Sequence, residues 1–144
     1  MTPRAVVDAS VAAQWVVPSP NRQAARQILI DFREMRLDLF APSLQRFEVG
    51  SALWKYFRAG IFTLQETEAA YRAYLEQAPE LVDSEYIARS ALSLAAIHDR
   101  SVYDCSYLAL SLQLGCELLT ADKKLFRALG PAFPQVVLVG AVIA

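Results

Sequence analysis

The chain has 144 residues, a formal net charge of −1 and 55% hydrophobic residues with tyrosine counted. That length suits a single domain, residues 1–144, whose core needs no disulfide or zinc staple. The near-neutral charge gives no general positive field of the kind that marks many nucleic-acid binders. The most apolar run, Val136 to Ala144, is far short of the roughly 20 residues that span a bilayer. The opening run Met1-Thr-Pro-Arg-Ala-Val-Val-Asp8 reaches charge too soon for a signal peptide, so a cytoplasmic location is expected.

Taken in order, the chain alternates short apolar runs with amphipathic segments, the pattern of a parallel sheet covered by helices. Ala5 to Val7 is a short buried strand ending at Asp8. After Pro18-Ser-Pro20, Asn21 is placed to cap a helix with Ala24, Ala25, Ile28, Leu29 and Phe32 inward. Leu37 to Ala41 reads as a second strand. Pro42 then opens a helix that turns Leu44, Phe47 and Trp54 inward and ends near Gly60. Thr63-Leu-Gln-Glu66 has the spacing of a capping box, and the helix it starts carries Tyr71, Tyr74 and Leu75 and stops before Pro79.

Glu80 to Val82 is a short strand, and Asp83 or Ser84 caps a helix that runs to about Ile97. A turn at His98-Asp-Arg-Ser101 leads into a helix from Val102 to Leu114, stopped by Gly115. Glu117 to Thr120 is a strand. A short helix ended by Gly130 and Pro131 follows, and Val136 to Val139 closes the sheet. Five strands and about seven helices in this order predict a three-layer α/β/α domain with a mainly parallel five-stranded sheet.

Four acids stand out. Asp8 and Asp122 lie at the carboxyl ends of predicted parallel strands, the edge where open α/β sheets bind ligands. Glu48 and Asp104 sit near helix starts in otherwise apolar surroundings. A carboxylate in an apolar stripe is costly unless paired or bound to a cation, and several at one sheet edge repel one another. A divalent cation removes both problems. Mg²⁺ (or Mn²⁺) accepts a few carboxylates plus waters and leaves positions open for a phosphate oxygen.

Other metal chemistries have few candidates. Cys105 and Cys116 lack C-x-x-C spacing and read as buried free thiols, and His98 is the lone histidine. Basic residues cluster at Arg22, Arg26, Arg33 and Arg36, at Lys55 and Arg58, and at Lys123, Lys124 and Arg127. Each cluster alone reads as a solvated helix face. Trp54, Tyr56, Phe57, Phe62, Tyr71 and Tyr74 crowd the middle helices. They suit either an aromatic core or a surface that pairs two copies.

Val6-Val-Asp-Ala-Ser10, Phe47-Glu-Val-Gly-Ser-Ala-Leu53, Val102-Tyr-Asp-Cys-Ser-Tyr-Leu-Ala-Leu110 and Leu118-Leu-Thr-Ala-Asp-Lys-Lys-Leu125 stand in the order found in PIN domains. Over essentially its whole length the chain resembles that family, and within it the small free-standing proteins of the VapC toxin type. The resemblance implies a metal-dependent endoribonuclease that cleaves RNA phosphodiester bonds. Asp8, Glu48, Asp104 and Asp122 would be its metal-binding acids, with Ser10 and Thr120 as hydroxyls orienting a carboxylate or a water. It also implies a toxin–antitoxin pair, with a small antitoxin protein over the acidic site, and a homodimer. Lys123, Lys124 and Arg100 are the residues expected to meet the RNA backbone. Lys123 and Lys124 stand where some family members carry a further acid, which weakens the case for a second metal. The alternatives are a housekeeping PIN nuclease in RNA processing, or a PIN-fold module that binds RNA or protein without catalysis.

Overall fold

In the computed structural model, which describes residues 1–20 and 22–140, successive side chains of the first strand, Arg4–Val7 (β1), enter two different cores. Val6 packs with Leu118, Leu108, Leu110 and Val136 on one face of the sheet. Ala5 and Val7 pack with Val11, Ala25, Leu39 and Leu119 on the other. A strand buried on both faces reads as a continuous apolar run, which is what Ala5-Val-Val7 is.

The remaining elements are Ala9–Ala12 (α1), a 3₁₀ turn at Ala13–Trp15, Gln23–Arg33 (α2), Asp38–Pro42 (β2), Gln45–Arg58 (α3) and Leu64–Gln77 (α4). Glu80–Val82 (β3), Glu85–His98 (α5), Val102–Leu114 (α6), Glu117–Thr120 (β4), Lys123–Leu129 (α7) and Val136–Leu138 (β5) follow. All the strand pairings are parallel, in the order β3-β2-β1-β4-β5. Helices α5, α6 and α7 cover one face, and α1 and α2 the other. A third cluster joins α1 to α3 and α4 through Ala12, Val49, Leu53 and Tyr74. The expected three-layer architecture is found. Among the described residues, no helix is long and apolar enough to cross a membrane.

Local signals act where the sequence places them. Thr63 and Glu66 form both hydrogen bonds of the capping box, Ser84 caps α5, and Gly115 ends α6 in the left-handed region at φ 63°. The cap expected of Asn21 lies outside the described residues.

Three expectations are corrected. Pro42 ends β2 rather than opening a helix. It lies past the last residue that β2 pairs with β1, so its missing N–H costs no bond there. Ser43 N–H then donates to the Val82 carbonyl at 2.9 Å. Phe47 and Trp54 point outward, 77% and 50% exposed, because the inner face of α3 is formed by Gln45, Val49 and Leu53. At about 100° per residue, Phe47 lies on the far side of the helix from Gln45. Leu75 is likewise exposed, next to a fully buried Tyr74.

Gln45 explains the orientation of α3. It is fully buried, its Nε2 donates to the Val7 carbonyl at 2.8 Å, and its Oε1 accepts from the Tyr74 hydroxyl at 2.8 Å. One amide thus ties α3 and α4 to the carboxyl end of β1. Replacing it by Met, of similar length and without polar atoms, leaves a buried carbonyl and a buried hydroxyl unpaired. Each unsatisfied group costs about 1–3 kcal/mol. Gln45→Met is therefore expected to lower unfolding free energy by roughly 2–4 kcal/mol, read as a lower urea midpoint at unchanged slope.

Candidate acidic site

Strand β1 has β2 on one side and β4 on the other, so the strand order reverses beside it. The carboxyl ends of β1 and β4 flank the crevice where such sheets bind ligands. Asp8 follows β1 directly. Its backbone N–H donates to the Leu119 carbonyl at 3.1 Å, and its Oδ1 caps α1 by accepting from Ser10 N at 3.1 Å and Val11 N at 3.3 Å.

Two hydroxyls complete its surroundings. Ser10 Oγ donates to Asp8 Oδ1 and accepts from the Ala121 N–H at 2.8 Å. Thr120 Oγ1 donates to Asp8 Oδ2 and accepts from the Asp122 N–H at 3.0 Å. Because backbone N–H groups occupy one side of each hydroxyl, each must present its own hydrogen to the carboxylate. The buried Asp8 is thereby locked to the turn that carries Asp122.

Asp122 caps α7, with Oδ1 accepting from Lys124 N at 2.9 Å and Leu125 N at 3.2 Å. Its Oδ2 has no hydrogen bond among the described residues. Glu48, half-buried and one turn along α3 from Gln45, accepts from the Tyr107 hydroxyl at 2.6 Å. Asp104, in the first turn of α6, is ion-paired with Arg100 at 2.9 Å.

Burial pushes the Asp8 carboxyl up to about 6, against the Ser10, Thr120 and Val11 hydrogen bonds that pull it down, and the nearby Asp122 charge adds to the rise. Burial also raises Glu48, opposed by Tyr107 and reinforced by Asp104. The Tyr107 hydroxyl is itself driven far above its usual range, by burial and by the charges of Glu48 and Asp8, so it remains a donor.

The charge of Asp122 thus acts on Asp8 and that of Asp104 on Glu48, and the Tyr107 hydroxyl feels both Glu48 and Asp8. Among the described residues, no three Asp, Glu, His or Cys side chains lie close enough to share one ion directly. The donors are all oxygens, and the raised proton affinity of Asp8 and Glu48 marks negative charge that the protein leaves incompletely balanced. This donor set fits a hard divalent cation that keeps several of its waters and takes one or two carboxylates. Zinc, which favours nitrogen and sulfur, does not fit.

A cavity of about 690 Å³ opens beside Ser10 and Glu48, walled by Leu44, Phe47, Ala52 and Tyr103, with Lys55 also lining it. Lys123 and Lys124 are exposed on the first turn of α7, directly after Asp122. Arg100 is held on Asp104 rather than standing free. Burial pushes both thiols up, which suits inert packing of Cys105 and Cys116. His98 closes α5 and packs edge-on against Phe133.

Sequence reasoning missed Gln45 and Tyr107 as parts of this site. The available signal was a polar group inside an apolar helix stripe, which must find a partner when buried.

The chain matches the PIN domain family over residues 5–130. Ribonuclease VapC3 of Pyrobaculum aerophilum is 33% identical over 123 residues, spanning 83% of this chain and 90% of that protein. Among solved structures, PAE2754 from Pyrobaculum aerophilum superposes with a TM-score of 0.67 at 24% identity, covering 89% of this chain and 87% of that one. A toxin–antitoxin complex from Klebsiella pneumoniae gives 0.65 at 20% identity, with 92% and 95% covered. Mycobacterium tuberculosis VapC20, described as a sarcin-ricin loop cleaving toxin, gives 0.61 at 15% identity, with 86% and 94% covered. At these identities the three structures show the fold.

The Asp8 environment has a thermodynamic signature. A carboxyl whose folded value lies above its unfolded one contributes stability that is fully present below the unfolded value, near 4, and is lost as pH rises through about 6. In Asp8→Asn, Oδ1 still caps α1 and the amide can donate to Thr120 Oγ1, without a buried charge. In chelator, the stability of the variant relative to wild type is expected to improve by roughly 2–3 kcal/mol from acidic to neutral pH. Chemical denaturation of both proteins across that range measures it, and parallel curves would contradict the assignment.

Proposed function

The chain belongs to the PIN-domain family, and from that premise we propose that it is a metal-dependent endoribonuclease, the toxin of a VapBC-type pair. The observation that carries the reading is the buried Asp8, fixed at the sheet edge by Ser10 and Thr120 and facing a second carboxylate at Asp122. A module that only bound RNA would gain nothing from negative charge at this edge. Kinship with Ribonuclease VapC3 supports the substrate class.

Asp8, Glu48, Asp104 and Asp122 would hold Mg²⁺ or Mn²⁺, directly or through waters. The ion supplies Lewis-acid polarisation of a phosphate oxygen and a more acidic water at neutral pH. The rest is positioning by the chain. Ser10 and Thr120 hold both oxygens of Asp8 in one orientation, and Tyr107 aims Glu48 toward the cavity mouth. Arg100 pairs with Asp104 and holds its carboxylate in place. A water lined up by these carboxylates attacks phosphorus in line with the leaving oxygen, and a nearby carboxylate accepts its proton.

The partners follow the same reading. A small antitoxin would cover the acidic edge; the similar Klebsiella structure is a toxin–antitoxin complex, which supports a partner of that kind. Exposed Trp54, Phe57, Ile61, Leu64 and Leu75 on and between α3 and α4 supply apolar surface for the antitoxin or for a homodimer. Lys123 and Lys124 meet the RNA backbone beside Asp122.

Cleavage of single-stranded RNA tests the reading. EDTA is expected to stop it and Mg²⁺ or Mn²⁺ to restore it. Asp8→Asn and Asp104→Asn are each expected to lose at least about a hundredfold in turnover, the scale for removing a group that balances transition-state charge. Their circular dichroism should stay that of the folded protein. Activity that persists in excess chelator, or full activity in both variants, would overturn the assignment.

Two further variants separate binding from chemistry. Lys123→Ala with Lys124→Ala should flatten the salt dependence of RNA affinity by about 1.4 in log–log slope for two contacts to a single strand, with the cleaved position unchanged. Cys105→Ser with Cys116→Ser should leave turnover nearly as it was.

A further inference from the structure

Three exposed arginines of the first basic cluster line a common cleft. Arg22, Arg26 and Arg33 share one side of α2 and its start, and with Gln14, Trp15 and Gln77 they line a cleft of about 220 Å³. Trp15 Nε1 donates to the Ala25 carbonyl at 2.9 Å, and Arg33 Nη1 donates to Gln77 Oε1 at 3.3 Å. These bonds fasten the 3₁₀ turn and the end of α4 to α2. Among the described residues none of the three arginines has an acidic partner. The α2 acid Asp31 and the adjacent Glu34 are both taken by Arg36, and Asp31 lies half a turn around the helix from Arg22. Three guanidinium groups thus line one cleft along α2 with no acid facing them, a surface suited to an extended anion.

We propose that this cleft holds the sugar–phosphate backbone of the RNA strand beyond the acidic edge. The proposal rests on the ribonuclease reading. Three observations favour a ribonucleotide strand over a free anion. At about 1.5 Å rise per residue, Arg22 and Arg33 are spaced roughly 16 Å along α2, too far for one phosphate and suited to successive phosphates of a strand. Gln14 supplies the second observation. Its Nε2 donates to the Ser10 carbonyl at 3.2 Å, while its Oε1 is buried with no hydrogen-bond partner. Phosphates carry only acceptors and cannot satisfy that oxygen. A ribose 2′-hydroxyl can, once the half-buried Gln14 side chain turns that oxygen into the cleft, and it is the group that distinguishes RNA from DNA. The third is continuity: Ser10, which holds Asp8, and Gln14, which lines the cleft, are one helical turn apart. A strand leaving the acidic edge therefore reaches the arginines within a short distance.

The test uses the full chain in EDTA, with a short labelled single-stranded RNA and the DNA of the same sequence, and fluorescence anisotropy over a salt series. Arg22→Gln/Arg26→Gln/Arg33→Gln is expected to make the log–log salt slope of RNA binding shallower by about 2, from three contacts at about 0.7 each. Arg26→Gln alone should lower it by about 0.7 and serves if the triple variant folds poorly. The matching Arg→Lys triple variant should keep the slope. Gln14→Met should narrow the preference for RNA over DNA about fivefold, the scale of one hydrogen bond.

Unchanged slopes in an otherwise cleaving enzyme would overturn the cleft and leave the ribonuclease reading intact. Altered slopes in a protein that cleaves no RNA under any metal would do the reverse. Loss of binding to an acidic partner protein, with RNA affinity unchanged, would also overturn the cleft as an RNA site.

Discussion

A carboxylate buried at the end of a strand must be surrounded by donors, and Asp8 draws its donors from both ends of the chain. Ser10 and Val11 follow it in sequence, while Thr120 arrives from more than a hundred residues away. That meeting is possible only because β4 pairs in parallel with β1, in the register Ala5 with Glu117 through Val7 with Leu119. A slip of one residue would turn Thr120 to the opposite face of the sheet and leave Asp8 Oδ2 without a partner. The pairing of the central strands and the acidic edge are thus one structural fact.

A second layer of polar contacts holds the helices in place around that edge. Gln45 takes the Val7 carbonyl immediately before Asp8 and is braced by Tyr74. One turn further on, Glu48 takes the Tyr107 hydroxyl. Buried hydrogen bonds of this kind add only about 1 kcal/mol each when made, but each costs more when broken. Their effect is to fix orientation. With Gln45 inward, Glu48 faces Tyr107 and Phe47 is left in solvent, and the site acquires both its carboxylate and its apolar rim.

Much of this was legible in the sequence because the signals were local. The strand Glu117–Thr120 and the helix Val102–Leu114 begin and end where a short apolar run, the turn to Ser101 and Gly115 place them. The acids were legible for a similar reason, since charge at a strand end or in an apolar stripe is conspicuous in one dimension. Pro42, Phe47 and Trp54 were misread because their placement depends on long-range partners, Val82 for the strand and the Val7 carbonyl for the helix face. The same applies to Gln45 and Tyr107, whose roles exist only once three elements have packed. The approach of Asp122 to Asp8 and of Asp104 to Glu48 is also a tertiary property, whereas the Arg100–Asp104 ion pair is a local contact four residues apart.

The site has an electrostatic tension that the bulk charge hides. Burial and repulsion raise the proton affinity of Asp8 and Glu48, so the folded chain holds those charges at a cost to its own stability. Packing alone would favour neutral residues there, because buried charges are commonly replaced by apolar groups without loss. Function is the better explanation for keeping them. The cation of the proposed function would offset the repulsion only while bound, so its binding would stabilise the fold. On the ribonuclease reading, RNA would bring further negative charge to the same edge, and a protein of net charge −1 has no general field with which to attract it. Any grip on the strand would therefore have to be local. The unpaired arginines of the α2 cleft and the lysines at the start of α7 lie on separate elements, each reached from Asp8 through one of its hydroxyl partners, Ser10 or Thr120. Among the described residues these cations form no ion pair with the acids, so on the proposed reading both remain free to act on one strand.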